Sequence, residues 1–143
     1  MAVLTRGNAA HLHPTTVVLR ASVLILTFAT AAIHASLGGM LFLANAAGYT
    51  LLALAMVAPG PAMRYRWLIR LALIGFTAAT IAGWVAFGPR FGLAYLDKAI
   101  EVALIGVLLI EQWRSDGGPI GVYRRVQRLV SGVAAGTFAR NAR

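Results

Sequence analysis

The sequence predicts an all-α, membrane-integral protein: an antiparallel four-helix bundle followed by a basic C-terminal interfacial helix. Three observations lead there. Of 143 residues, 59% are hydrophobic and 12% are charged, against about a quarter charged in an ordinary globular domain. Four apolar stretches each reach the roughly 17 to 25 helical residues that cross a hydrocarbon core about 30 Å thick. Most of the thirteen Lys and Arg residues fall outside those stretches and on one side of the arrangement they define.

Residues 1–16 form a polar leader containing Arg6, His11 and His13. The first span covers about 17–37. Its Ala29-Thr30-Ala31 triplet has the small residues of a signal-peptide cleavage site, but the apolar run continues past it and the leader is too long for a typical signal. Gly38-Gly39 supplies a tight turn into the second span, about 40–57, and Pro59-Gly60-Pro61 breaks the chain after it. The third span covers about 68–87, with Arg70 near its start, where a long basic side chain can snorkel to the interface. Gly88-Pro89-Arg90-Phe91-Gly92 leads into the fourth, about 93–110. Connections this short leave no soluble domain between spans and force neighbouring helices to run antiparallel. The tail, 111–143, opens on a turn at Ser115-Asp116-Gly117-Gly118-Pro119. Beyond it Val122, Val126, Leu129, Val130 and Val133 share a helical stripe while Arg124, Arg125 and Arg128 face elsewhere, the pattern of a helix lying in a membrane interface. Residues 136–143 are expected to fray.

Arg6, Arg20, Arg64, Arg66, Arg70, Arg114, Arg124, Arg125, Arg128, Arg140 and Arg143 lie on one side of the predicted spans, against Arg90 and Lys98 on the other. By the positive-inside rule both ends are cytoplasmic, in a multi-pass inner-membrane protein. Arg64, Arg66, Arg70, Arg124, Arg125 and Arg128 are the expected contacts to anionic lipid head groups. Nucleic acid is not an expected partner, because a cationic rim beside a span is explained by topology. Trp67, Trp84, Tyr95 and Trp113 fall near helix ends, as interfacial aromatics do.

Only four acidic residues occur in the chain, and Asp97 and Glu101 fall inside the fourth span, four apart and on one helix face. At about 1.5 Å per residue, His34 lies roughly 5 Å below the outer face, Asn45 and Asp97 roughly 6 to 8 Å, Thr80 roughly 10 Å and Glu101 roughly 12 Å. His34, Asn45, Thr80, Asp97, Lys98 and Glu101 therefore form a candidate intramembrane polar site. Such a set can relay protons, hold a cation or bind a polar group. Equally, Glu101 can pair with Lys98 or His34 only to hold the helices together.

Other chemistry is restricted. There are no cysteines, which removes disulfides and thiolate sites. Ser22, Ser36, Ser115 and Ser131 lack a nucleophile-elbow context, no His-Glu-x-x-His run exists, and the glycines form no phosphate cradle, so enzymatic activity is not expected. No cofactor or metal is expected either. Two departures are open at His34: axial ligation of a haem or pigment, given its small neighbours Thr30, Ala31, Ser36 and Gly38, and a divalent ion shared with Asp97 and Glu101. Gly75, Ala79 and Gly83 on the third span, and Ala44 with Gly48 on the second, are small-residue stripes of the kind that bring helices close.

Asn45-Ala46-Ala47-Gly48-Tyr49, Phe87-Gly88-Pro89-Arg90 and Asp97-Lys98-Ala99-Ile100-Glu101 together resemble small four-span membrane proteins of prokaryotes. The resemblance covers about residues 21–111, omits both basic ends and implies no particular activity. It implies that the Asn, Asp-Lys and Glu positions belong to a shared pattern. The expected function is that of a non-enzymatic accessory or scaffold component with a membrane-protein partner or a second copy. The alternatives are a proton- or ion-coupled transporter or channel subunit using Glu101, Asp97 and His34, and a tetrapyrrole-binding subunit.

Overall fold

The computed structural model describes residues 14–141, and all regular structure in that range is helical. Helix α1 spans Pro14–Leu37, α2 Met40–Val57, α3 Arg66–Phe87, α4 Gly92–Asp116 and α5 Gly118–Asn141, with a 3-10 turn at Gly60–Tyr65. Three of these stretches are long and apolar enough to cross a membrane: Pro14–Leu37, Met40–Val57 and Met63–Phe87. Residues 1–13, including Arg6, His11 and His13, and 142–143, including Arg143, lie outside the described range.

The punctuation explains the boundaries. Gly38 and Gly39 have φ of 68° and 81°, left-handed values that only glycine adopts without strain, so α1 turns into α2 within two residues. Pro59 and Gly60 stop α2, and the 3-10 turn then feeds α3 at Arg66, two residues earlier than the apolar run suggested. Gly88 ends α3 with its N–H on the Trp84 carbonyl at 2.8 Å. Helix α4 runs six residues past the expected end of the fourth span, and the expected five-residue turn shrinks to Gly117, which like Gly118 at the start of α5 has positive φ. Helix α5 continues to Asn141, so helix extends through most of 136–143, where fraying was expected.

Helix α1 packs on α2 and α4, and α3 packs on α4 and α2, while α5 contacts α4. Each of α1 to α4 buries one stripe at helical spacing: Val23, Thr27, Thr30 and His34 on α1, Ala46, Tyr49, Ala53 and Met56 on α2, and Trp67, Arg70, Leu73 and Thr77 on α3. The stripe on α4 is Ala94, Asp97, Lys98, Glu101, Leu104, Leu108, Glu111 and Gln112. It is polar at both ends and apolar in the middle, where Leu104 and Leu108 meet Val23, Met56 and Leu73 in a common core.

One small-residue stripe does not pack as expected. Gly75, Ala79 and Gly83 are exposed, and a Cβ added at either glycine meets nothing within 4 Å. Gly48 does permit close approach, because a Cβ there would lie 2.5 Å from Cζ of Phe76 on α3. Trp67, expected at an interface, is only 5% exposed.

Candidate functional site

All four acidic side chains are removed from solvent, in two separate clusters joined by α4. The outer cluster begins from the four-residue spacing of Asp97 and Glu101, which turns both toward α1. Thr30 Oγ1 donates to Asp97 Oδ1 at 2.6 Å, and Tyr49 donates its phenolic hydrogen to Glu101 Oε1 at 2.8 Å. Thr80 Oγ1 lies 3.0 Å from the same Glu101 oxygen and 2.8 Å from the Tyr49 hydroxyl. Lys98 bridges both acids, with Nζ 3.0 Å from Asp97 Oδ2 and 2.6 Å from Glu101 Oε2. Four helices thus each send polar groups to one buried point.

His34 completes the cluster. Its Nδ1 lies 3.0 Å from the Thr30 carbonyl oxygen, which can only accept, so Nδ1 carries a hydrogen. The other nitrogen, Nε2, lies 3.9 Å from Glu101 Oε1, and Nδ1 lies 3.6 Å from Asp97 Oδ1. In the neutral ring with its hydrogen on Nδ1, Nε2 presents its lone pair toward the Glu101 carboxylate. With His34 neutral, the cluster carries two negative charges against one positive.

Of the six residues expected here, the structure brings five into this network: His34, Thr80, Asp97, Lys98 and Glu101. Asn45 lies beside it but has no hydrogen-bond partner among the described residues. Two members, Thr30 and Tyr49, were not singled out as site residues by sequence. Tyr49 reads as an ordinary core aromatic, although it shares the helical stripe of Ala46, Ala53 and Met56.

The inner cluster was not expected at all. Arg70 donates from Nε to Gln112 Oε1 at 3.1 Å, from Nη1 to Glu111 Oε1 at 3.1 Å, and from Nη2 to Asp116 Oδ2. Its exposure is 3%, so the expectation that it snorkels to lipid head groups is corrected: three acceptors at the end of α4 hold it inside. Arg20 approaches Glu111 at 3.6 Å, and Arg125 from α5 binds Asp116 Oδ1 at 2.9 Å. Arg125 is thus partly committed to a protein carboxylate, whereas Arg64, Arg124 and Arg128 remain exposed and Arg66 half-buried. In the structure Arg70 lies three residues from both Trp67 and Leu73 on the buried stripe of α3.

A cleft of about 460 Å³ adjoins the outer cluster. His34, Asp97 and Lys98 lie at its polar side with Asn45 and Thr80, and its walls are apolar, with the rings of Phe42, Phe76 and Trp84 among them. Trp84 is held by a hydrogen bond from Nε1 to the Pro89 carbonyl at 2.9 Å, by Arg90 stacked 4.2 Å above its ring, and by an edge contact with Tyr95.

Ligand atoms of His34, Asp97 and Glu101 lie within 4.8 Å of one another, a spacing that one metal ion can bridge. The Lys98 ammonium holds the other oxygen of each carboxylate, Asp97 Oδ2 and Glu101 Oε2, while Oδ1 and Oε1 accept hydrogen bonds from Thr30 and Tyr49. A macrocycle on His34 Nε2 would have to displace Glu101. No family model, curated protein or solved structure matches the chain.

Proposed function

We propose that the chain is a four-span protein of the cytoplasmic membrane, with both ends cytoplasmic. In this reading it acts as a non-enzymatic accessory or scaffold component of a membrane assembly, and the cleft beside the outer cluster is its binding site. The carrying observation is inverted polarity. Glu101 and Glu111 are 0% and 1% exposed, whereas Ile25, Leu41, Leu51 and Val102 are 60% to 71% exposed. In water this arrangement would bury charge and expose oil, two costs at once. In a bilayer the apolar flanks are solvated by acyl chains and the polar groups must satisfy one another inside.

The same logic supports α4 as the fourth span. Its charges make it less apolar than the other three, but Asp97, Lys98, Glu101 and Glu111 lie on its buried stripe while Leu96, Val102, Leu109 and Ile110 face outward. The wide exposed apolar flanks favour a membrane-protein partner or a second copy, and Arg64, Arg66, Arg124 and Arg128 suit an anionic lipid surface. Crosslinking in native membranes followed by mild-detergent purification tests the assembly: a heavier complex is expected, and a stable lone monomer with no crosslinked product overturns it. Because the chain has no cysteine, single cysteines at Arg90 and Arg64 test orientation. Impermeant thiol reagents should reach the first from outside and the second only from the cytoplasmic side.

The convergence of His34, Asp97 and Glu101 favours a second reading, a proton- or ion-coupled subunit. Its difficulty is the apolar layer between clusters: Glu101 and Glu111 are about 15 Å apart along α4, with Leu104 and Leu108 fully buried between them. Thr27 and Thr77 in that layer donate to carbonyls of their own helices. Proteoliposome flux that is pH-dependent and abolished in Glu101→Gln would establish this reading; zero flux under every gradient would end it.

A further inference from the structure

Resting on the reading of the cleft as a binding site, we propose that its ligand is a neutral, lipid-soluble molecule with a planar, carbonyl-bearing head, of the quinone class. The first ground is Asn45. It lines the cleft, is half-buried, and has no hydrogen-bond partner among the described residues. Every other polar side chain of the outer cluster has one. A primary amide with two donors and an acceptor unmet at this depth is costly unless something entering the cleft bonds to it.

Charge then decides the class of ligand. Of the groups at the polar side, Asp97 has Oδ1 bonded to Thr30 and Oδ2 paired with Lys98. A cationic ligand would find this carboxylate already engaged and an ammonium beside it. An anionic ligand would approach a cluster that, with His34 neutral, holds two carboxylates against one ammonium. A neutral acceptor meets neither obstacle. It can take N–H groups from Asn45, and the third N–H of Lys98, whose other two serve Asp97 and Glu101.

Shape supplies the planar head. Phe42, Phe76, Trp84, Phe87 and Phe91 line the cleft, and aromatic walls favour a flat conjugated ring through offset or edge contacts. At Gly83, also on the lining, a Cβ would meet nothing within 4 Å, which leaves a flat stretch of wall. The volume of about 460 Å³ falls in the usual range of about 300 to 1,000 Å³ for small-molecule sites.

The test uses the full chain in lipid nanodiscs, photolabelled with an azidoquinone and competed with decyl-benzoquinone, decylamine or decanoate. Saturable labelling on the cleft walls is expected, competed by the quinone and not by the amine or the acid. Asn45→Leu should weaken the quinone about tenfold, the loss of one or two neutral hydrogen bonds, without lowering the melting temperature. Ala79→Phe, which fills the cleft, should abolish the labelling. If Ala79→Phe blocks a probe but Asn45→Leu leaves quinone competition unchanged, or if the amine or acid competes better, the head-group assignment falls and the cleft remains a site. If labelling is unsaturable, or unaffected by Ala79→Phe, the cleft reading falls with it.

Discussion

Arg70 on α3 and Asp116 at the end of α4 are joined by a hydrogen bond from Nη2 to Oδ2, within a fork that also holds Glu111 and Gln112. Because the guanidinium is 3% exposed, removing it strands Glu111 with only the 3.6 Å approach of Arg20. Arg70→Met should therefore destabilise by about 3 to 5 kcal/mol, the usual cost of breaking a buried pair from one side. Adding Glu111→Gln should recover part of that loss, since the stranded charge goes with it. Arg70→Lys should rescue poorly, because one ammonium cannot serve three acceptors in a fixed fork. Unfolding in mixed micelles measures all three.

Asp116 also receives Arg125, so one carboxylate fastens α3 and α5 to the end of α4. Asp116→Asn should loosen α5 more than the rest of the chain. Limited trypsinolysis is the readout: cleavage after Arg124, Arg125 and Arg128 should accelerate while the rate of cleavage after the exposed Arg64 stays unchanged. The Arg125 contact is partly exposed, so raising salt should mimic part of the effect by screening.

Much of this organisation is legible from spacing, and the remainder is not for a physical reason. The Gly38-Gly39 turn and the breaks at Pro59 and Gly88 are local backbone chemistry, so α1 and α2 end where the sequence places them. The convergence of His34, Asp97 and Glu101 follows from helical rise and short loops alone. Partner choice is different. Arg70 pairs with residues 41 to 46 positions away, and the apolar run around it gives the same hydropathy whether the guanidinium reaches lipid or a carboxylate. Tyr49 is hidden similarly: its ring belongs to the core beside Phe76, centroids 4.9 Å apart, and only its hydroxyl joins Glu101. The Gly75–Ala79–Gly83 stripe misleads in the opposite direction, since four-residue spacing of small side chains says that a face is flat and not what covers it.

The outer cluster should tolerate loss of a hydroxyl better than loss of a charge. Tyr49→Phe removes one donor to Glu101 Oε1 and should cost about 1 kcal/mol, because Thr80 remains within reach of the same oxygen. Lys98→Leu should cost more, leaving Asp97 and Glu101 with no ammonium between them. The double variant Lys98→Leu with Glu101→Gln should be more stable than Lys98→Leu alone. Equal stability of those two would mean that the lysine is not the counter-charge of Glu101.

The two kinds of helix glycine give a final, contrasting prediction. At Gly48 an added Cβ would sit 2.5 Å from Cζ and 3.1 Å from both Cε atoms of Phe76, so the ring must move, and that ring packs edge-on against Tyr49. Gly48→Ala should therefore disturb the Tyr49–Glu101 bond as well as the α2–α3 contact, with a cost of about 1 to 3 kcal/mol from overpacking. Gly48→Ala combined with Phe76→Leu should recover stability by opening space for the methyl group. Gly75→Ala has no such obstacle and removes the helix-interior glycine penalty, so it should be neutral or stabilising by up to about 1 kcal/mol. If Gly48→Ala proves as harmless as Gly75→Ala, α2 and α3 are not in close contact at Phe76, and the hydrogen bond from Tyr49 to Glu101 loses its packing support.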